Sequence, residues 1–301
     1  MADQVNKDKS GKHHTPPHAK LKLKAFFREL VIVFGAFLVL NSFVLASFEV
    51  PTGSMENEIM AGDFLLVNKF VFGGTTPRTI PFTNVRLPAL KLPSFWEPER
   101  GDVIVFIFPG MRDEVAPKEF AYYLKRAIAV AGDTLEIRHR IVHVNGQPVQ
   151  NPRNIKYNMG MRPKEWQDPR IFPAGSAWNE DYYGPVRVPK KGDVIALNGA
   201  TFQQWEVFIE REGHTADQVD GEVLIDGKKT DSYTVGRDYV FGMGDNRDNS
   251  LDSRFWGFIP KEDIIGTPLI VYWSWNPETP ISSLSSKFGS IRFGRLGSLV
   301  R

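Results

Sequence analysis

A serine, a lysine and one loop dense in polar side chains are the parts of this 301-residue sequence equipped for chemistry. Ser54 lies in Pro51-Thr-Gly-Ser-Met-Glu56, and Gly53 lets the backbone turn tightly and approach a ligand closely. Alone, such a serine is usually a turn residue. Lys125 lies in Tyr122-Tyr-Leu-Lys-Arg-Ala-Ile-Ala-Val-Ala-Gly-Asp133. Strand alternation puts Tyr123, Lys125, Ala127 and Ala129 on one face. A lysine at a strand edge can simply block aggregation. A lysine buried in an apolar run is rarer, and desolvation disfavours its ammonium form. A pKa brought from ~10.4 to ~7–8 leaves an amine able to take the proton of a serine hydroxyl.

The polar loop is Gly242-Met-Gly-Asp-Asn-Arg-Asp-Asn-Ser-Leu-Asp-Ser-Arg-Phe-Trp-Gly257, between two apolar runs. As a calcium loop it fails, because Arg247 stands where a third ligand belongs and the required Gly and Glu are missing. Asp252 and Arg254 are two apart, which favours a local ion pair, and Ser250 can exchange a hydrogen bond with a nearby amine. A Ser/Lys pair needs a nucleophile on a turn, a neutral amine and a group that orients the amine, and it needs no histidine. Beyond the N-terminal tail the only histidines are His139, His143 and His214. A Ser-His-Asp arrangement is open on spacing but has no feature in its favour. The absence of cysteine excludes a disulfide framework, a Cys-ligated zinc and a thiol nucleophile.

These residues follow an apolar run, Leu30 to Phe48, with no charge and only Asn41, Ser42 and Ser47 as polar side chains. As a helix it spans roughly 28 Å, close to the hydrocarbon core of a bilayer. A buried core helix seldom stays apolar on every face, and a signal peptide's apolar region is usually shorter. Residues 1–29 hold seven Lys/Arg against three Asp/Glu, with Lys20, Lys22, Lys24 and Arg28 just before the run. The positive-inside rule then places the N-terminus in the cytoplasm and the remainder on the exported side. His13, His14 and His18 read as part of a solvated tail.

The exported part reads as β: 62–70, 101–108, 124–131, 134–144, 192–198, 221–227, 238–244 and 265–275 are rich in β-branched and aromatic residues. Asn145-Gly146 and Asp226-Gly227 are hairpin signals, and 203–213 is the best helix. Residues 75–99 form a Pro-rich apolar loop that either packs across the sheet or lies on the lipid bilayer. Net charge is +2, so the chain as a whole is no polyanion binder and no nucleic-acid partner is expected.

In sequence and order, 51–55, 62–70, 124–133 and 244–257, behind an upstream anchor, resemble the motifs of the bacterial type I signal peptidase (leader peptidase) family. The last motif is the most specific. The matched core spans roughly 30–138 and 238–275. The resemblance implies a mainly β fold: a cytoplasmic tail (1–29), a transmembrane anchor (30–48), a catalytic β core (49–138 and 238–301) and a variable β insertion (139–237). It implies a serine endopeptidase that removes signal peptides from exported preproteins, cleaving after small Ala-X-Ala-like residues. Ser54 would be the nucleophile and Lys125 the general base. The Ser54 N–H and the Thr52 hydroxyl would form the oxyanion hole, although many relatives have Ser at that place. Ser250 would orient Lys125, with Asp252, Arg254 and Asp245 supporting the loop. Val50, Pro51, Met55, Tyr123 and Leu124 would border the substrate subsites. The enzyme would be a monomer in the bacterial inner membrane, with no metal or organic cofactor. Two other readings are a self-cleaving repressor with the same chemistry and an inactive anchored scaffold that binds exported chains. The first lacks its DNA-binding or soluble N-terminus here; the second does not explain Ser54, Lys125 and Ser250 together.

Overall fold

The computed structural model describes residues 17–76, 88, 90–280 and 282–300. Residues 1–16, with His13 and His14, and about half of the Pro-rich loop (77–87 and 89) lie outside them, whereas His18 falls in the first helix. Helix α1, Pro17–Phe43, carries a stretch from Lys24 to Phe43 with mean hydropathy 1.8, long and apolar enough to cross a membrane. Its Val31, Phe34, Phe37 and Val39 side chains are all exposed, as a lipid-facing surface requires. Contacts divide the chain into two compact units, one holding α1 up to Asn41 and the other beginning at Ser42.

The helix differs from the expected anchor at both ends. It begins within the basic segment, and it stops at Phe43 rather than Phe48. Residues Leu45–Glu49 form strand β1, paired antiparallel with β2, Asp63–Asn68. Ala46 is buried there, and the Phe48 ring meets Tyr122 edge to face at 5.0 Å. The last apolar residues of the run therefore belong to the second unit.

The chain continues through β3 (Val103–Ile107), β4 (Tyr122–Val130), β5 (Thr134–Arg138), β6 (Ile141–Val144), β7 (Gln147–Pro148), β8 (Tyr183–Arg187) and β9 (Val194–Ala196). Helix α2 (Phe202–Arg211) precedes β10 (Ala216–Val219), β11 (Glu222–Ile225), β12 (Lys228–Lys229), β13 (Ser232–Thr234) and β14 (Tyr239–Met243). A short α3 (Ser253–Trp256) leads to β15 (Ile259–Pro260) and the long β16 (Ile264–Ser274), then α4 (Leu284–Gly289) and β17 (Ser298–Leu299). The main sheet runs β1-β2-β16-β3-β4-β14-β15, with β17 also on β16. The chain between β4 and β14 forms separate small sheets, β7-β6-β5-β8, β10-β11-β12 and β13-β9. Sheet membership thus changes at the turn after Val130, so β5 stands with the insertion rather than with the core.

The expected strands and the α2 helix are present, and both Asx-Gly pairs sit in hairpin turns. One segment differs: 134–144 is a hairpin, turning at His139 and Arg140 with φ of 52° and 66°. Arg140 is held there by Asp181 at 2.8 Å and by the carbonyls of Met159 and Gly160. The alternation expected along β4 also breaks. A bulge opposite Phe241/Gly242 shifts the register between Ala127 and Ala129, so the faces do not alternate through to Ala129. Lys125 to Ala129 are all buried.

Candidate active site

Ser54 is fixed by the chain on either side of it. Val50 extends the β1–β2 ladder, donating to Asp63 O at 2.9 Å and accepting from Gly62 N–H at 2.8 Å. A tight turn follows, closed by Glu56 N–H to Gly53 O at 3.0 Å and Ile59 N–H to Met55 O at 2.8 Å. Met55, only 1% exposed, anchors this turn in a small apolar core with Val50, Ile59, Leu65, Val105 and Val271. Burying such a side chain contributes about 1.5–3 kcal/mol.

Lys125 lies in the middle of β4, opposite the fully buried Ile104 of β3. Its stem passes Gly242 of β14, where a Cβ would stand 3.1 Å from Lys125 Cβ and 2.9 Å from Ile259 Cδ1. Glycine there makes room for the lysine. Lys125 Nζ ends 2.7 Å from Ser54 Oγ and 3.1 Å from Leu124 O. Burial pushes the Lys125 pKa down from 10.5 to about 8; Asp252 and Asp245 pull it back up, and Arg254 pushes it down. Two side chains 71 residues apart in sequence thus meet as a hydroxyl and an amine with lowered proton affinity.

The polar loop frames this pair. Asp252 and Arg254, both buried, share contacts of 2.9 Å from Nε and Nη2. Asp252 also accepts from Gly244 N–H at 3.1 Å. Burial alone would raise the Asp252 pKa, but the Arg254 guanidinium and the Gly244 N–H hold it below the usual range. Asp245 forms a two-pronged pair with Arg126, at 2.9 and 2.6 Å. Asn246 N–H donates to Ser54 O at 3.0 Å, and its side-chain amide donates to Gly53 O at 3.1 Å. Gly244 lies so close that a Cβ would fall 2.3 Å from Ser250 Oγ and 2.5 Å from Ser54 O.

Ser250 is buried beside this point, but its Oγ has no hydrogen-bond partner among the described residues. The expected bond from Ser250 to Lys125 is not formed in this structure. The positions missed from sequence are Arg126 and Asn246, each adjacent to a residue singled out. Their signal was present: a second cation beside Lys125, and an amide within the specific loop.

A cleft of about 330 Å³ opens at the pair. Val50, Pro51, Met55, Tyr123 and Leu124 all line it, and so does the exposed Thr52. Strand β14 pairs β4 only from Arg126 to Val130, leaving Tyr123–Lys125 with β3 on one side. Bonds at Ala121 and Ala127 set the ladder phase, so the Leu124 backbone faces away from β3. The Ser54 N–H has no hydrogen-bond partner among the described residues.

The profile described as signal peptidase, peptidase S26, matches residues 23–273. A signal peptidase I of Buchnera aphidicola subsp. Schizaphis graminum is 30% identical over 291 residues, covering 89% of this chain and 82% of the relative. A signal peptidase I of Pseudomonas aeruginosa is 29% identical over 287 residues, covering 91% of this chain and 77% of the relative. The solved structure of a signal peptidase I from Enterococcus faecalis V583 matches with a TM-score of 0.31 and 20% identity, covering 58% of this chain and 98% of that one.

Proposed function

The chain belongs to the signal peptidase family, peptidase S26, and from that premise we propose that Ser54 is its nucleophile and Lys125 the general base. It is a membrane-anchored serine endopeptidase acting on preprotein signal peptides. The observation that carries the residue assignment is the 2.7 Å approach of Lys125 Nζ to Ser54 Oγ inside a buried pocket.

Neutral Lys125 takes the Ser54 proton as Oγ attacks the scissile carbonyl, and the carbonyl electrons move onto oxygen. The Ser54 N–H and the Thr52 hydroxyl stabilise that oxyanion. The Lys125 ammonium then returns its proton to the leaving amine, giving an acyl-enzyme and the mature N-terminus. Water, deprotonated by the same amine, then attacks the acyl carbon; the ammonium returns that proton to Ser54 Oγ as the ester bond breaks, which releases the signal peptide and restores the starting site. We keep Ser250 as the group that receives the ammonium, because its buried Oγ has acceptor capacity to spare. The substrate lies extended along Tyr123–Leu124, pairing with the backbone that β14 leaves unpaired, with small residues in the apolar cleft.

We place the N-terminus in the cytoplasm of a bacterial inner membrane, because Lys20, Lys22, Lys24 and Arg28 precede the apolar stretch. An N-terminal reporter active only outside the cytoplasm would overturn that orientation.

The pH–rate profile tests the base. With a Lys125 pKa of about 8, activity rises with pH and levels off above that value. At pH 7 about a tenth of the amine is neutral, and at pH 6 about a hundredth, so kcat/KM falls about tenfold per unit below the midpoint. A profile already flat at pH 5 assigns the base to a carboxylate instead. Thr52→Val tests the oxyanion assignment, with kcat lowered about 10²–10³-fold and folding intact. An unchanged kcat gives that role to another donor.

A further inference from the structure

The stretch from Asn154 to Met159 lies in the insertion, far from every sequence motif, yet it touches the frame of the site on two sides. On one side it joins the polar loop. Lys156 N–H donates to Asp245 O at 2.8 Å, and Lys156 O accepts from Arg247 N–H at 2.9 Å. This is a parallel bridge with Asn246. Asp248 then accepts from the N–H groups of Asn158 and Met159, at 2.6 and 2.7 Å. On the other side the stretch grips the nucleophile turn. Lys156 Nζ lies 2.9 Å from Glu56 Oε2, two residues beyond Ser54, and Asn154 donates to Glu58. The same Glu56 oxygen accepts from Asn246 Nδ2 at 3.2 Å, and that amide also reaches Gly53 O at 3.1 Å. The backbone is thus held immediately before and shortly after the nucleophile.

We infer that Lys156, paired with Glu56, is a positioning residue that locks the Ser54 turn to the loop 245–250 and keeps Ser54 in register with Lys125. The inference rests on the reading of Ser54 and Lys125 given above. Neither Glu56 nor Lys156 lines the cleft. The charges that set the proton affinity of Lys125 are Asp252, Arg254 and Asp245, not this pair. Both side chains are about one-third exposed, so the pair adds little to stability. Its leverage is geometric, since a misplacement of about 1 Å can cost about 10²-fold in rate.

The test measures kcat, KM, melting point and pH profile on an Ala-X-Ala preprotein in detergent. It compares the full-length wild type with Lys156→Met, Glu56→Gln and Lys156→Arg, with Ser54→Ala as control. We expect Lys156→Met and Glu56→Gln to lower kcat by about tenfold, with KM within about twofold. The melting point and the midpoint of the pH profile should stay at the wild-type values, and Lys156→Arg should recover most of the rate. A kcat within twofold of wild type in both variants overturns the inference. So does a raised KM at unchanged kcat, which would make the pair a substrate contact. A loss that tracks a fallen melting point and is not recovered by Lys156→Arg overturns it too. If Ser54→Ala is inactive while Lys156→Met is unaffected, only this inference fails; if Ser54→Ala cleaves like wild type, the underlying reading of the site fails.

Discussion

Ser54→Ala should cut the cleavage of an Ala-X-Ala preprotein by about 10⁴-fold or more while leaving the fold in place, because loss of a nucleophile costs nearly all of the machinery built around it. The substitution removes one oxygen from a turn whose backbone bonds all involve other atoms: Val50 to Asp63, Glu56 to Gly53 and Asn246 to Ser54 O. Met55 keeps its burial, so the turn keeps its anchor. Lys125 Nζ loses its 2.7 Å partner and retains Leu124 O at 3.1 Å. Above pH 8, where the amine is mostly neutral, that loss costs less than it does below pH 8, because an unsatisfied buried charge costs more than an unsatisfied neutral group. The expected protein is folded, binds substrate and does not cut, with scission after the −1 residue seen only in wild type. Cleavage within tenfold of wild type would take Ser54 out of the mechanism. An unfolded Ser54→Ala protein would mean that the hydroxyl holds the turn together.

Much of the site was legible because its chemistry needs unusual residues in unusual places. A lysine within Leu124–Val130 and a sixteen-residue polar loop between apolar strands both depart from ordinary patterning; the lysine is buried, and so is the loop except at Asp248, Asn249 and Leu251. What stayed hidden was set by tertiary pairing. The apolar run from Leu30 reads continuously into Phe48, and hydropathy alone does not separate a lipid-facing helix from a core strand. The pairing of Leu45–Glu49 with Asn68–Phe64 decides it, and that partner lies many residues away. The His139–Arg140 turn was invisible for a similar reason. Left-handed backbone usually announces itself with Gly or Asn, and here contacts from Asp181, Met159 and Gly160 hold an arginine in it.

The insertion shows the sharpest limit. Asn154–Met159 has no motif, because its principal contacts to the polar loop come from backbone N–H and C=O groups that every residue carries. Glu56 and Lys156 are ordinary surface charges in sequence, and only their meeting 100 residues apart gives them a place beside the nucleophile. Ser250 shows the opposite difference. Its placement near Ser54 and Gly244 follows from the motif, but the hydrogen bond expected from it is not formed in this structure.

Lys125→Arg should abolish cleavage, by about 10³-fold or more, since a guanidinium stays protonated throughout the working pH range and cannot accept the serine proton. Activity within tenfold of wild type would remove Lys125 as the base. Lys125→Met separates function from stability, and its sign follows from the lowered pKa. In the unfolded chain the amine has its ordinary pKa of 10.5; in the fold it sits at about 8. Below pH 8 both states are protonated, and the fold carries the full cost of a buried ammonium, on the order of 3 kcal/mol. As pH rises from about 8 to 10.5 the folded amine is neutral while the unfolded one still binds its proton, so that cost fades. Methionine has a similar shape and no charge. Lys125→Met should therefore melt at a higher temperature than wild type at pH 6.5, with the gap narrowing toward pH 10, while cleaving nothing. A Met variant that melts lower than wild type at pH 6.5 would mean that the bonds to Ser54 Oγ and Leu124 O outweigh desolvation, and that Lys125 holds the site together as well as working in it. The higher melting point would identify the buried amine as a residue kept for catalysis at the expense of the fold.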